Sequence, residues 1–359
     1  MSNSVLSTFN SSVNSIFPAF SSAEEAKKYL AHYPLAWESF IKLPPSMQQD
    51  LLNFCIGKQG LRITYDPVFQ KIFNPETHME RLESLLSSIL ERTIHIISII
   101  PREGSQLTEH SSFVIMDILV QLDDGSYANI EMQKIGYNFP LARADCYASD
   151  MIMRQYADLK AKQKDTFNFK NMHKVYCIIL MEHSPKEFHA ANDNYIHRRT
   201  ASFDTGIYNC EAGLHEDIFI CLDSFHSIVH NITKGSTLQE AWLTFLSSTD
   251  IDTISALVSA FPMFTSIYQE ITNFVQNPEE LMRMLSEELY IMDHNTERLM
   301  ITELQDQLTS TQSELTSTQK QLEVERKLFK LRLSGKTPEE IAEMLSMPVE
   351  EVNEILTSE

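Results

Sequence analysis

The spacing of apolar and polar positions divides the chain into helical flanks around a central region of strands. Residues 80–90 carry leucine and isoleucine at helical intervals, which predicts an amphipathic helix. Apolar and β-branched runs bounded by turn formers then predict strands. These predicted strands cover residues 94–100, 113–122, 127–133 and 175–181. A helix predicted over residues 141–162 separates the third strand from the fourth.

The order helix, three strands, helix, strand (αβββαβ) predicts an α/β fold in which helices flank a small mixed sheet. Residues 201–222 indicate a further β pair, and the pattern is helical from about residue 235 onward. We therefore expect a core with a helical C-terminal extension. The predicted segments are an N-terminal arm with a helical part (1–61), the core (62–234), a helical region (235–295), a long helix (296–333) and a short tail (334–359).

Two helix-start signals stand out. Asp66 precedes Pro67, which is typical of a helix whose N-cap is the aspartate. In the tail, Thr337 and Pro338 predict the start of the first of two short helices. Their spacing resembles a helix-turn-helix, but their acidic surface does not suit DNA phosphates, so we interpret the tail as a packing or interaction motif.

The predicted long helix contains a seven-residue repeat. Leu308 and Leu315 each begin the sequence Leu-Thr-Ser-Thr-Gln, and Leu322 continues the series. Apolar residues at intervals of seven are typical of a coiled coil, but the companion positions Thr311 and Thr318 are polar. Two interpretations stay open: a long surface helix, and weak homodimerisation through residues 296–333.

A single acid, Asp117, interrupts the predicted second strand, which is otherwise apolar on both faces, as expected of a central strand. The turn at residues 123–125 (Asp-Asp-Gly) suits a three-residue hairpin loop with glycine in the left-handed conformation. Pairing Leu122 with Ser126 then places Asp117 directly opposite Glu131, at about 4.5–5.5 Å between Cβ atoms.

Two opposed carboxylates on a buried hairpin repel each other, so the pair needs compensation. A hard divalent cation such as Mg²⁺ supplies it, because Mg²⁺ binds carboxylate oxygens and keeps waters for a substrate phosphate. Gln133 shares the face of Glu131, since side chains alternate along a strand. Two alternatives to a metal site stay open at this point: Glu131 faces solvent on an edge strand, or Arg143 or Lys134 pairs with the acids.

Net charge bears on any nucleic-acid function. The formal charge of −20 is unfavourable for binding phosphate. Residues 62–180, however, contain 13 Lys and Arg against 15 Asp and Glu, a net of −2, so this part can still hold DNA locally. Its basic cluster is a candidate phosphate contact, although a solvated loop is equally compatible. The cluster comprises Lys160, Lys162, Lys164, Lys170 and Lys174.

The expected location is the cytoplasm. No apolar run approaches the roughly 20 residues of a membrane-spanning helix, and the N-terminus lacks the features of a secretory signal. The five cysteines are odd in number and widely spaced, which argues against a disulfide framework and against a CxxC zinc site.

Four segments, taken in order, resemble the PD-(D/E)xK nuclease-family transposases, relatives of the recombination-promoting nucleases. Asp117, a hairpin and then Glu131-Met132-Gln133 resemble the D…(E)xQ form of the signature. Residues 66–73 (DPVFQKIF) resemble the opening motif, and the leucine-rich helix over 82–90 resembles the helix that follows it. Arg143 and Tyr147 resemble the Arg-x3-Tyr helix after the acids. The likeness covers about residues 62–225.

This resemblance implies a restriction-endonuclease-like fold and Mg²⁺-dependent endonucleolytic cleavage of DNA, with Mn²⁺ as a substitute. It implies that Asp117 and Glu131 are metal ligands and that Gln133 is the third catalytic residue, at the place where many members of the superfamily have lysine. Glu83 is a further candidate ligand, because superfamily members often place an acid on the first helix. An ordinary solvated helix acid is the commoner role for a residue such as Glu83.

The leading hypothesis is therefore a metal-dependent DNA endonuclease linked to recombination or mobile elements. Arg143 and Tyr147 are candidate DNA contacts, although they could simply pack. The main alternative is a nuclease-like scaffold without turnover that binds partners through its helical C-terminal region, which the net charge and the acidic tail favour. Cleavage of RNA is a third hypothesis, since such a metal site acts on the phosphate.

Overall fold

The structure is a computed structural model, and it describes residues 20–101, 117–135, 141–190, 194–205, 213–229 and 231–357. In these residues six strands form one mixed sheet in the order β1-β2-β3-β4-β6-β5. The strands are β1 (Ile96–Ile99), β2 (Ile118–Leu122), β3 (Tyr127–Ile135), β4 (Val175–His183), β5 (Ile196–Thr200) and β6 (His215–Cys221). Strands β3, β4 and β6 run parallel, and the other neighbouring pairs are antiparallel.

Helices precede the sheet, join its strands and follow it. Before the sheet lie α1 (Ala23–Ala31), α2 (Pro34–Lys42), α3 (Pro45–Cys55), α4 (Asp66–Ile72) and α5 (Met79–Leu90). Between the strands lie α6 (Leu141–Gln163) and the single turn α7 (Lys186–His189). After β6 come α8 (Leu222–Ile228), α9 (Leu238–Ser247), α10 (Ile251–Ala260), α11 (Phe264–Asn273), α12 (Pro278–Leu333), α13 (Pro338–Leu345) and α14 (Val349–Thr357).

Apolar side chains cover both faces of the sheet. On one face α6 packs through Tyr147 and Met151 against residues of β3, β4 and β6. On the other face a larger core joins the sheet to helices before and after it. Trp242 of α9 is fully buried in this core, and its indole N–H donates to Ser84 Oγ at 2.9 Å, so that the one polar group of the ring is satisfied.

The chain divides into two compact units, residues 1–291 and residues 292–359. The sheet and its covering helices belong to the first. In the second, the end of α12 packs with α13 and α14 around the buried side chains of Leu328, Ile341 and Val352. Thr337 caps α13 as the sequence predicts, because its side chain accepts from the Glu340 N–H and the Glu340 side chain accepts in return.

Most of the predicted helices and strands are present, although several begin or end at residues other than those predicted. The order αβββαβ and the mixed α/β sheet are confirmed. The extra β pair was predicted within residues 201–222, but its first strand is β5 at Ile196–Thr200. The predicted start of the long helix at residue 296 falls inside α12, which begins at Pro278. Of the predicted strand over residues 113–122, residues 113–116 lie outside the described residues.

No helix of the described part combines the length and the apolar composition that crossing a membrane would require.

The hairpin turn between β2 and β3 depends on Gly125, whose φ is +88°. A Cβ at this position would also lie 2.8 Å from the ring of His173. We expect Gly125→Ala to lower the free energy of unfolding by about 1–2 kcal/mol, because an L side chain is strained in this region of φ. Urea denaturation measures the change. The control is Gly235→Ala, where the nearest atom is 3.7 Å away, and equal losses in both variants would contradict the assignment.

Candidate active site

The β2–β3 hairpin sets the position of two acids. Ile118 pairs with Ile130, so the next position outward brings Asp117 opposite Glu131. The two acids interlock through the backbone: Glu131 Oε1 accepts from the Asp117 N–H at 3.1 Å, and Asp117 Oδ2 accepts from the Met132 N–H at 2.9 Å. The predicted register is confirmed. Each carboxylate is therefore held by the strand that carries the other.

Glu131 is the more deeply enclosed of the two acids, with 3% of its surface exposed. Burial and the nearby charge of Asp117 raise the pKa of Glu131 well above its ordinary value, in that order of importance. The Asn129 amide, which donates to Glu131 Oε1 at 3.0 Å, and the charge of Arg143 oppose this rise. The alternative in which Glu131 faces solvent on an edge strand is wrong, because β4 pairs with β3 on its other side and Glu131 is buried.

Gln133 and Lys134 lie on opposite faces of β3. Glu131 pairs with Ile179, and Gln133 with Met181, and both partners belong to the face that α6 covers. Lys134 lies on the other face, where its Nζ is 4.2 Å from the centre of the Tyr65 ring. The alternation predicted from the sequence thus places Gln133, and not the lysine, on the face of Asp117 and Glu131.

Asp66 is a third acid at this site. We predicted Asp66 as a helix N-cap, but Tyr65 occupies that position and Asp66 is the first residue of α4. Proline is tolerated throughout the first turn, where its missing N–H has no helical partner, so Pro67 does not fix which residue is the cap. Burial, followed by the charges of Asp117 and Glu288, raises the pKa of Asp66 to about 8.

A fourth acid, Glu288 of α12, reaches the site from far along the chain. Its side chain is 1% exposed. One oxygen accepts from Lys134 Nζ at 2.6 Å, and the other accepts from the backbone N–H of Asp66 at 2.9 Å. Glu288 therefore satisfies one unpaired N–H at the start of α4 and neutralises Lys134. The start of α12 is fastened in this way to both β3 and α4.

Arg143 and Tyr147 complete the cluster from the first turns of α6. Arg143 Nε donates to the Tyr147 hydroxyl at 2.7 Å, and the guanidinium lies 5.3 Å from the centre of the Tyr147 ring. The charge of Arg143 lowers the pKa of both Glu131 and Asp66, against the larger effects that raise them. An exposed cation next to buried acids suits a site that receives a phosphate.

A family model described as "PD-(D/E)XK nuclease family transposase" matches residues 63–298, more than half of the chain. The chain belongs to this family. The comparison with curated proteins found no match, and the comparison with solved structures found none. The sheet flanked by helices is the nuclease-like fold that the sequence predicted, and family membership makes the chain nuclease-like, with DNA as the implied substrate.

The other predicted residues of this PD-(D/E)XK family member lie elsewhere. Glu83 of α5 accepts from the Ile96 N–H at 2.7 Å, at the start of β1, and lies 3.9 Å from His95 Nδ1, so its contacts support the fold. Among the acids of the described helices, Asp66 is the one whose pKa Asp117 raises. The cluster of Lys160, Lys162 and Lys164 lies at the opposite end of α6 from Arg143, roughly 25–30 Å away at about 1.5 Å per residue.

A second group of potential metal ligands lies on the same face of the sheet. Atoms of Asp145, His215 and Asp217 all lie within 4.8 Å of one another. Arg199 already bridges two of them, with Nη2 at 2.6 Å from Asp145 and Nε at 2.7 Å from Asp217. Because a guanidinium already neutralises the buried Asp217, we interpret this group as an ion-pair network.

Sequence reasoning missed Asp66 and Glu288 as members of the site. Asp66 lies in the opening motif, but an aspartate before a proline also suits a helix cap, and the sequence alone does not separate the two roles. Glu288 is 222 residues from Asp66, and no local pattern distinguishes it from the neighbouring helix acids. The described residues bring together both acids of the predicted site, Gln133 and the Arg143–Tyr147 pair.

The elevated pKa of Asp66 predicts a pH-dependent stability. The folded chain binds this proton more tightly than the unfolded chain, so raising the pH from about 4 to about 8 should lower the free energy of unfolding. Asp66→Asn should flatten this decline and leave the variant more stable than wild type at pH 8. Urea denaturation at several pH values in EDTA measures it, with the exposed Asp204→Asn as control. Identical slopes in wild type and Asp66→Asn would contradict the prediction.

Proposed function

We propose that this protein is a metal-dependent DNA endonuclease of the transposase-associated type, acting in recombination or on mobile elements. The observation that supports it best is the pair Asp117 and Glu131, opposed across a buried hairpin and held by each other's backbone. Burial and the charge of Asp117 still raise the pKa of Glu131 despite these contacts, so keeping the two acids side by side costs free energy and favours a function that uses them. The link to recombination rests on the family alone.

The residues fit a divalent cation. Oxygen ligands are those that Mg²⁺ prefers, and Mn²⁺ accepts the same donors. Asp117 and Glu131 are the proposed ligands, and Asp66 is a third candidate because it lies within electrostatic reach of Asp117. When bound, the cation would polarise the scissile phosphodiester and lower the pKa of a coordinated water.

The protein's own groups would then hold the substrate in place. Gln133 carries no charge, so it orients a water or a phosphate oxygen but contributes no positive charge to the transition state. Arg143 can supply that charge, because the residue is exposed and its charge already acts on Glu131. Tyr147 fixes the guanidinium through its hydroxyl and its ring. Lys134 is paired with Glu288 on the other face of β3, so we do not propose it as a phosphate contact.

Cleavage of supercoiled plasmid tests the proposal. We expect nicking with Mg²⁺ or Mn²⁺ and none with EDTA. Asp117→Asn and Glu131→Gln should each slow cleavage by at least about a hundredfold, since loss of groups that merely support metal ligands costs 10–100-fold. Both substitutions are nearly isosteric, and circular dichroism checks that the variants fold.

The matched control is Glu187→Gln, on the surface turn α7, which should cleave like wild type. Equal cleavage by wild type and both acid variants would overturn the assignment of the site. A folded wild type that binds neither metal nor DNA and cuts nothing would favour the scaffold alternative, in which the C-terminal helices bind a partner.

We further propose that two copies associate through residues 296–333. Leu308, Leu315, Leu322 and Phe329 recur every seven residues along α12, and all four are exposed. A strict seven-residue spacing keeps an apolar seam facing a second helix of the same kind. The polar companions Thr311 and Thr318 make the seam weak, which favours a dimer that depends on protein concentration.

Sedimentation of the full-length protein tests this association. Wild type should approach the mass of a dimer as concentration rises. Leu315→Lys should weaken association at least tenfold, because burying a leucine stabilises by about 1.5–3 kcal/mol and each factor of ten corresponds to about 1.4 kcal/mol. The control Ser317→Lys places the same charge off the seam. A monomeric wild type at all concentrations, or dimers in all three proteins, would contradict the seam.

A further inference from the structure

The C-terminal end of α6 differs in charge from the rest of the chain. Residues 156–174 contain five lysines and two aspartates, a net of +3 in a protein whose net charge is −20. Among these lysines, Lys160, Lys162, Lys164 and Lys170 are exposed, and Lys174 lies near Glu216 at 3.7 Å. The segment therefore offers a local positive surface.

Three aromatic rings stand among these lysines. Tyr156 and Phe169 are stacked, with an interplanar angle of 7° and ring centres 6.0 Å apart. Phe167 lies edge-on to both, at 5.3 Å from Tyr156 and 5.1 Å from Phe169. Phe169 is 73% exposed, so most of its ring meets solvent. We call these three rings with Lys160, Lys162, Lys164 and Lys170 the aromatic–lysine patch.

Hydrogen bonds fasten the loop of the patch to α6. Asn171 Nδ2 donates to Gln163 Oε1 at 2.7 Å, and the His173 N–H donates to Gln155 Oε1 at 2.6 Å. Gln155 is buried on α6. Phe169 thus lies in the segment between Gln163 and Asn171, whose side chains are joined to each other. The backbone that carries the ring is held in place before any ligand arrives, which favours binding.

The grouping of rings and cations distinguishes Phe169 from a singly exposed apolar side chain. It belongs to a three-ring cluster, and most of its surface is in water among four exposed lysines. An aromatic face surrounded by cations matches a ligand with flat apolar rings on an anionic chain. Unpaired nucleotides have that chemistry, because their bases stack on aromatic rings and their phosphates pair with lysine. The bases of a duplex are already stacked on one another and expose mainly their edges.

We propose that the aromatic–lysine patch binds the unpaired nucleotides of a DNA that contains a single-stranded segment. This inference rests on the proposed function in one respect, which is that such a DNA is the substrate. Arg143 and Tyr156 are 13 residues apart on α6, about 20 Å at 1.5 Å per residue. At about 3.4 Å per nucleotide of a helical strand, Tyr156 at the near edge of the patch lies about six nucleotides from Arg143.

Fluorescence anisotropy of labelled oligonucleotides tests the proposal without cleavage. The protein carries Asp117→Asn throughout, and the buffer contains EDTA, so that binding is measured even if the proposed nuclease activity is wrong. The probes are a 12-nucleotide oligo-dT, the matching oligo-U and a blunt duplex of the same length. We expect oligo-dT to bind more tightly than the blunt duplex. Tight binding of oligo-U as well would show that the patch recognises unpaired bases in either sugar.

The decisive variants change one exposed ring. Phe169→Ala should weaken oligo-dT binding about tenfold, because stacking one base is worth about 1–3 kcal/mol. Phe169→Trp should keep the wild-type affinity. The control Phe203→Ala removes an exposed phenylalanine outside the patch and should change nothing. Lys162→Ala should reduce the slope of log K against log salt by about 0.7, the value for one contact to single-stranded phosphate.

Two results would overturn the proposal. One is an unchanged affinity for oligo-dT in Phe169→Ala. The other is an equal loss for oligo-dT and the blunt duplex in that variant, since a duplex offers no base to stack. If oligo-dT does not bind but an acidic peptide does, with loss in Phe169→Ala, the surface recognises a protein and the nucleotide assignment is wrong. A failure of cleavage in the plasmid experiment alone leaves this binding result intact.

Discussion

A carboxylate enclosed in a sheet costs free energy unless its surroundings compensate it, and Glu131 imposes that requirement on the centre of this fold. The hairpin supplies part of this compensation, because the Asp117 N–H and the Asn129 amide both donate to Glu131. Asp117 itself adds a second negative charge, and Arg143 offsets it only in part. The hydrogen bonds therefore position the acids without removing the effect of burial and of neighbouring negative charge, which still raises the pKa of Glu131 and of Asp66. Such a place is suited to a cation with spare coordination positions.

Helices that are remote in sequence from the hairpin also contribute charges and hydrogen bonds to this acidic site. Asp66 at the start of α4 adds to the negative charge, and its backbone N–H is satisfied by Glu288 of α12. The buried carboxylate of Glu288 is in turn neutralised by Lys134, the residue that directly follows Gln133 on β3. Asp117 and Glu131 thus lie on one face of β3, and the ion pair between Lys134 and Glu288 lies on the other. The match of the family to residues 63–298 extends past the sheet and includes the start of α12, where Glu288 lies.

Local chemistry made the hairpin predictable. A turn of Asp-Asp-Gly with glycine at positive φ fixes the register, and the register alone places Asp117 opposite Glu131. Strand alternation likewise separates Gln133 from its neighbouring lysine. The contribution of Glu288 could not be predicted, because it depends on how helices pack and not on a local pattern. Helix starts were also ambiguous, since a proline is tolerated at more than one position of the first turn.

The acidity of the chain is compatible with DNA once its distribution is considered. Residues 279–359 carry 18 acids and 8 basic residues, so this segment alone accounts for half of the net charge of −20. Exposed charges separated by more than about 8 Å are largely screened at physiological salt. A phosphate near Arg143 therefore responds mainly to its immediate surroundings, which contain the exposed residue Arg143 and acids that a bound metal would neutralise. The net charge of the chain, half of which lies after residue 278, acts on it much more weakly.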